Sequence, residues 1–260
     1  MARAAAWRTT EPEPLSAASL AALCRAEVPA VRIPLLAGDA CDALMRALPT
    51  DAFERYATKP AFQTFERFGI PQAGYHSNRR DRYFEDAVEA RRQRDALIAA
   101  AGVDPLAKAM ARMREDAGAD ISIAREVDGR EYFSGIVRRL NDGIQLHADT
   151  CRRSDARWLI HAARAQLSLN VFLTSFEGGA CIVHERVHED QDDRTVPRGS
   201  YIYDRALVDG ARSARIQPDK GDLLLINSRC YHEVERARSD RVTYAAFVGL
   251  LPDGRFVVWA

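Results

Sequence analysis

Between residues 121 and 250 the chain is a series of short apolar runs set off by Gly, Asp and Pro, and no run shows the helical repeat of a βαβ crossover. A chain written this way cannot build a doubly wound parallel sheet. It has to close as an antiparallel barrel or sandwich. Strands are expected at 166–173, 180–184, 223–226 and 241–250, and a hairpin at 121–127 and 131–140, because Asp128-Gly129 supplies the positive φ angles of a two-residue turn. Helices precede the strands: Ser16 caps one reaching about residue 27, and others are expected at 39–48, 83–100 and 105–116, with one strand at 30–35. Residues 1–15 read as an arm. The aromatic stretch 51–82, with Phe53, Tyr56, Phe62, Phe65, Phe68 and Tyr75, reads as buried packing or a loop shaped over a pocket. The expected organisation is one α+β domain over 1–260, with 1–120 as mainly helical support and substrate-side loops and 121–250 as the barrel core.

Composition excludes several classes of function. At 47% hydrophobic and 28% charged, the 260 residues can bury a substantial core and do not match a disordered chain. No apolar stretch approaches the roughly 18 to 20 residues of a membrane span. Lys plus Arg and Asp plus Glu both number 37, so no net field attracts nucleic acid or an anionic membrane. Five dispersed cysteines without a C-x-x-C pair imply neither a disulfide framework nor a zinc ribbon and fit a reducing compartment. The first ten residues lack the apolar core of a secretory signal, and Glu11 and Glu13 oppose a transit peptide, so the expected location is the cytoplasm.

The chemistry-bearing residues lie within the strand region. In Gln145-Leu146-His147-Ala148-Asp149, positions 147 and 149 project to one side of a strand, so an imidazole and a carboxylate can meet one ion. A third ligand is available in His232, where a Gly221-Asp222 turn feeds an apolar strand ending just before the histidine. Two neutral imidazoles and one carboxylate form the facial set that suits non-haem Fe(II), leaving positions for substrate, co-substrate and dioxygen. Arg241 and Thr243 share a strand face and offer a guanidinium fork and a hydroxyl for a carboxylate. On 166–173, Gln166, Ser168 and Asn170 alternate with apolar residues, which suits either a solvated sheet face or the lining of a polar cavity.

Together these residues resemble the Fe(II)/2-oxoglutarate-dependent dioxygenase superfamily: His-x-Asp, a distant second His, and an Arg followed two residues later by Ser or Thr. Glu177-Gly178-Gly179-Ala180 is similar to the Gly-Gly turn between core strands in its prolyl-hydroxylase-like branch. The resemblance covers about 121–250 and implies a double-stranded β-helix, a jelly-roll or cupin-like core with the N-terminal helices packed on the outside. It also implies that His147, Asp149 and His232 hold Fe(II), and that Arg241 with Thr243 binds 2-oxoglutarate, with Gln166 and Ser168 beside it. The implied reaction consumes O2 and 2-oxoglutarate, gives succinate and CO2, and hydroxylates an unactivated C–H bond of a small molecule. Size and organisation look like free-standing bacterial hydroxylases of amino acids and other metabolites. Related carrier-independent halogenases carry Gly or Ala at the carboxylate position, where this chain has Asp149.

Two other readings compete. His184-Glu185-Arg186-Val187-His188 matches the H-E-x-x-H zinc-hydrolase motif, which requires a helix; here it follows a strand-like run and leads into an acidic stretch, so a charged strand end running into a loop is expected. A non-catalytic small-molecule-binding barrel would require His147, Asp149 and His232 to stay apart. His161, in the insertion after the metal triplet, and His76, in the aromatic loop, are read as structural, with contact to substrate as the alternative. Arg152, Arg153 and Arg157 form either a solvated cluster or a basic rim for an anionic substrate.

Overall fold

The computed structural model describes residues 6–49, 51–55, 65–75, 79–153, 156–196 and 201–260. Local signals account for the early elements. Helix α1 (Ala17–Cys24) opens on a reciprocal capping box, the Ser19 amide donating to Ser16 Oγ and the Ser16 amide to Ser19 Oγ. Strand β1 (Val31–Pro34) and helix α2 (Gly38–Ala47) follow, then the short strands β2 (Glu54–Arg55) and β3 (Phe65–Phe68). Helix α3 (Arg80–Ala101) stops at the left-handed Gly102. Helix α4 (Pro105–Ala117) starts where the Asp104 carboxylate accepts from the Leu106 and Ala107 amides.

The strands that follow define the architecture by their pairing. They are β4 (Ile121–Ile123), β5 (Ile136–Leu140), β6 (Ile144–His147), β7 (Ala165–Phe172), β8 (Cys181–Val187), β9 (Ser213–Ile216), β10 (Asp222–Asn227), β11 (Cys230–Val234), β12 (Val242–Leu250) and β13 (Phe256–Trp259). β8 pairs with β9, β7 with β10, β6 with β11 and β5 with β12, all antiparallel. Such concentric pairing of eight strands is a jelly roll. The couples alternate between a sheet ordered β1-β10-β7-β12-β5-β3-β2, extended by β13 and β4, and a four-stranded sheet ordered β6-β11-β8-β9.

Strand alternation divides the apolar residues between two cores. Leu167, Leu169 and Val171 of β7 cluster with Leu23 of α1 and Met110 and Met113 of α4. Phe172, Leu224 and Ile226 instead meet Cys181, Val183 and Ile216 between the sheets. The polar residues of β7 therefore point between the sheets, and Gln166 and Ser168 are both buried. All five cysteines are free thiols, and among the described residues no helix is long and apolar enough to cross a membrane.

Several expectations need correction. The chain turns at 126–130, but not as the expected two-residue turn: only Gly129 takes a positive φ, and the Gly129 amide donates to the Glu126 carbonyl. The flanks then part: β4 pairs in parallel with β13, while β5 is drawn between β12 and β3. Only an isolated bridge from Arg125 to Glu131 survives of the hairpin. The first helix ends at Cys24, where Ala26 takes a positive φ. The described part of the arm, from residue 6, is held against the fold, Trp7 being buried and Glu13 bridging to Val31. Strand β3 lies inside the aromatic stretch, whereas Tyr56, Phe62 and His76 fall outside the described residues.

Tyr244 provides a test of the packing. Its ring is fully buried, its hydroxyl has no hydrogen-bond partner, and that oxygen lies where a Cβ on Gly135 would stand. The Tyr83 hydroxyl, equally buried, accepts from the Phe133 amide at 3.1 Å. By urea denaturation, Tyr244→Phe should be neutral or stabilising, whereas Tyr83→Phe should lose about 1 kcal/mol. A loss of that size for Tyr244→Phe would contradict the assignment.

Candidate metal centre

The register of β6 on β11 sets His147 directly opposite His232, and the ladder is irregular on both sides of His232. Opposed residues of an antiparallel pair leave the same sheet face at close range. The two ring centroids are 4.1 Å apart, and both residues are at least 95% buried. The same local device orients both rings. Nδ1 of His147 meets the Gln145 carbonyl at 2.8 Å, and Nδ1 of His232 meets the Cys230 carbonyl at 2.9 Å. A carbonyl oxygen only accepts, so the proton sits on Nδ1 in each ring, and Nε2 keeps the lone pair that a metal needs. Burial lowers the His232 pKa against an opposing pull from Asp149, which favours the neutral ligand form.

Asp149 follows β6 in a segment pinned to the β10–β11 turn. Its amide donates to the Ser228 carbonyl at 2.8 Å, and the Ser228 hydroxyl donates to its carbonyl at 3.1 Å. Its carboxylate lies 3.8 Å from His232 Nε2, and the ligand atoms of His147, Asp149 and His232 all fall within 4.8 Å of one another. The 3.8 Å gap is too long for a hydrogen bond and fits two donors facing one cation. Two neutral imidazoles and a carboxylate, held mainly by the backbone, match the donor set of a non-haem Fe(II) site.

Arg241 lies just ahead of β12, 5% exposed, with its guanidinium carbon 5.1 Å and 5.4 Å from the ring centroids of Phe172 and Phe176. Nε donates to the Gly179 carbonyl at 2.9 Å, and the Arg241 amide donates to Asn141 Oδ1 at 3.0 Å. No carboxylate among the described residues pairs with it, and burial brings its pKa down to about 10. A buried cation without an anion is a receptor for one. Gly179 makes room: its φ is +64°, and a Cβ there would lie 2.9 Å from Arg241 Cδ.

The other sequence-predicted residues take distinct places. Thr243 is buried on the inner face, opposite Phe172. Gln166 reaches the metal segment from below, its Oε1 accepting from the Cys151 amide at 2.5 Å, and Ser168 Oγ accepts from Asn170 Nδ2 at 2.7 Å. The H-E-x-x-H motif is extended chain, β8 running to Val187, and its histidines face separate acids. His184 meets Glu233 at 3.0 Å and His188 meets Asp193 at 2.9 Å. His161 lies in a single 3-10 turn over Leu159–Ala162. Within the arginine cluster, Arg153 is exposed yet tied to the metal segment. It donates to the carbonyl of Ala148, between two of the ligands, and pairs with Asp193 and Tyr203.

Sequence reasoning missed residues 201–203. Ile202 bridges to His147, the Tyr203 amide donates to the Leu146 carbonyl, and the Tyr201 ring meets the His147 ring edge-on at 5.6 Å. Their only sequence signal is the Tyr-Ile-Tyr alternation.

A family model described as the carrier-protein-independent halogenase WelO5 matches residues 45–257. The chain belongs to this family. It is 30% identical over 241 residues to an L-gamma-glutamyl-L-propargylglycine hydroxylase from Streptantibioticus cattleyicolor, covering 88% of this chain and 87% of the relative. It is 33% identical over 179 residues to the leucinostatins biosynthesis cluster protein S of Purpureocillium lilacinum, covering 65% and 73%. An N-substituted L-amino acid dioxygenase from Burkholderia ambifaria superposes with a TM-score of 0.61 at 18% identity, covering 94% of this chain and 91% of that one; its alpha-KG complex superposes at 0.59. The WelO5 family model thus covers β5 to β12, with residues 147, 149 and 232 inside its span.

Two outcomes test the site. His147→Ala and His232→Ala should each abolish stoichiometric Fe(II) binding in an anaerobic titration, since either removes one of three ligands. Retention of one tightly held equivalent by either variant would break the triad. The second test concerns Asp193. Burial raises its carboxyl, but hydrogen bonds from Tyr203, His188 and Arg153 outweigh this and hold it at about 2, below the ordinary 3.8. Its stabilising contribution is therefore complete above the ordinary value and is lost as pH falls toward 2. Asp193→Asn should melt below wild type at neutral pH, and the gap should close in acid. A gap independent of pH would rule this out.

Proposed function

We propose that this chain is a 2-oxoglutarate-dependent non-haem iron hydroxylase acting on an unactivated C–H bond of a small molecule, an amino acid or a metabolite of that size, and releasing succinate and CO2. The observation that carries this is the convergence of His147, Asp149 and His232 in the same jelly roll that buries Arg241 without a carboxylate partner. Convergence of the ligands also removes the main support for a non-catalytic barrel, and the extended course of 184–188 removes that for a zinc hydrolase.

Bound Fe(II), with dioxygen and 2-oxoglutarate, supplies the oxidising power for C–H hydroxylation. The residues supply the rest. His147, His232 and Asp149 would hold the metal, their positions fixed by Gln145, Cys230 and Ser228. Arg241 and Thr243 receive the distal carboxylate of 2-oxoglutarate, and Phe172 and Phe176 keep water from that ion pair. Gln166 and Ser168 line the same inner face, Gln166 also steadying the segment behind Asp149. Asp149 favours hydroxylation over chlorination, because its carboxylate would supply the anionic ligand that a halide would otherwise provide. The whole of 1–260 acts as one cytoplasmic domain, with α1 and α4 as buttresses outside the jelly roll.

The test is a metabolite panel scored by substrate-dependent succinate formation and product mass. The product should gain one oxygen atom and no chlorine. Arg241→Ala should raise the 2-oxoglutarate requirement roughly a hundredfold or more, reflecting a loss of ~3 to 5 kcal/mol when a buried charge pair loses one partner. A chlorinated wild-type product, or an unchanged requirement in Arg241→Ala, would refute the corresponding assignment.

A further inference from the structure

The inner wall of the jelly roll carries a second arginine. Arg138 of β5 stands opposite Thr243 of β12, and residues so paired share a face; Thr243 in turn stands opposite Phe172, whose ring lies between the sheets. Arg138 therefore projects into the space lined by Arg241 and the polar side of β7. Its neighbour Arg139 projects the other way and is neutralised by Glu66 at 3.2 Å. Arg138 has no such relief. Its Nε is shielded from solvent without a hydrogen-bond partner, and among the described residues no carboxylate pairs with its guanidinium. The residue opposite it on β3 is Arg67, another cation, itself paired with Glu54 at 3.4 Å. Facing cations repel unless an anion joins them.

The two inner arginines lean in opposite directions along the sheet. Arg241 lies against Phe172 and Phe176, whereas the Arg138 guanidinium carbon is 5.8 Å from the ring centroid of Phe247, whose partner on β7 is Ser168. Along β7, Phe172 marks the Arg241 end. Gln166 marks the metal end, because its side chain holds Cys151, two residues beyond Asp149. One dicarboxylate spanning Arg241 and the metal leaves Arg138 unused. Beside Arg138 on its face lie the apolar Ile136 and Ala245, which continue into the aromatic cluster of Tyr83 and Trp158.

We propose that Arg138 is a second carboxylate receptor, one that binds the carboxylate of the substrate while its apolar or aromatic body rests on the Ile136–Ala245–Phe247 side. This rests on the proposed function only in taking the occupant of Arg241 to be 2-oxoglutarate. It restricts the substrate to organic acids, free or N-blocked amino acids among them.

The experiment measures equilibrium binding of N-acetyl-L-phenylalanine and of its uncharged primary amide to full-length protein, loaded with redox-inert Zn(II) and saturated with 2-oxoglutarate. Wild type should bind the acid at least about tenfold more tightly than the amide, the scale of one charge-assisted hydrogen-bonded pair. Arg138→Gln should bind the two alike, with its 2-oxoglutarate affinity unchanged and its circular dichroism that of wild type. Arg138→Lys, which keeps the charge and loses the fork, should retain part of the preference. Equal or absent binding of acid and amide by wild type would overturn the proposal, as would an undiminished preference in Arg138→Gln. A loss of 2-oxoglutarate affinity in Arg138→Gln as large as the loss for the acid would assign the carboxylate to the co-substrate and also overturn it. Failure of the iron-oxygenase reading shows separately, as absence of 2-oxoglutarate binding to metal-loaded wild type, and the acid–amide comparison is repeated on metal-free protein without 2-oxoglutarate.

Discussion

The antiparallel contact of β6 with β11 is the constraint on which the rest of the molecule depends. Their register sets two histidines 85 residues apart in the chain face to face. The backbone then removes the remaining freedom, because a carbonyl two residues before each histidine holds its Nδ1. Strand pairing sets the distance between the rings, and the local hydrogen bonds set their tautomers. Asp149 needs a separate restraint because it lies beyond the end of β6, and the turn at Ser228 provides it.

Charge is distributed in a similarly uneven way. Most arginines are neutralised at short range by an acid, as Arg139 is by Glu66, Arg186 by Asp192 and Arg212 by Glu185. Arg241 and Arg138 face the space between the sheets without a carboxylate partner among the described residues, and water is partly excluded from both. Such groups keep the interior receptive to anions at a cost to the stability of the empty protein. The glycine at 179 and the side chain of Asn141 show that the fold makes specific provision for Arg241.

Much of this was legible in the sequence because the informative residues act locally. Ser16, Asp104-Pro105 and Gly118 place helix ends by hydrogen bonds to their immediate neighbours. The His-x-Asp triplet, His232 and Arg241 could be picked out as a set, since each sits at a strand end with a fixed chemical role. What escaped was non-local. Residues 121–140 look like a hairpin to any rule confined to neighbouring residues, yet β4 is claimed by β13 and β5 by β12, partners more than a hundred residues away. Strands β6, β9, β11 and β13, at only four or five residues, are too short to show a period of their own. The acid partner of His184 comes from β11, so the motif itself could not disclose it, whereas that of His188, Asp193, lies in the acidic stretch directly after the motif.

The concentric pairing of the strands also orders the assembly of the molecule. β8 with β9 closes the shortest span of chain, then β7 with β10; β6 with β11 comes third and β5 with β12 last. Closing each span costs more chain entropy than the one inside it, so the inner couples are the natural nucleus and the outer ones condense upon them. The two histidines belong to the third couple, and Arg138 to the fourth, with Arg241 immediately ahead of it. A partly assembled chain therefore holds a hydrophobic kernel without a metal-binding pair, and one that has gained the pair still lacks its carboxylate receptors. The paired histidines therefore stand on a finished kernel, and the interior that surrounds them is completed after them.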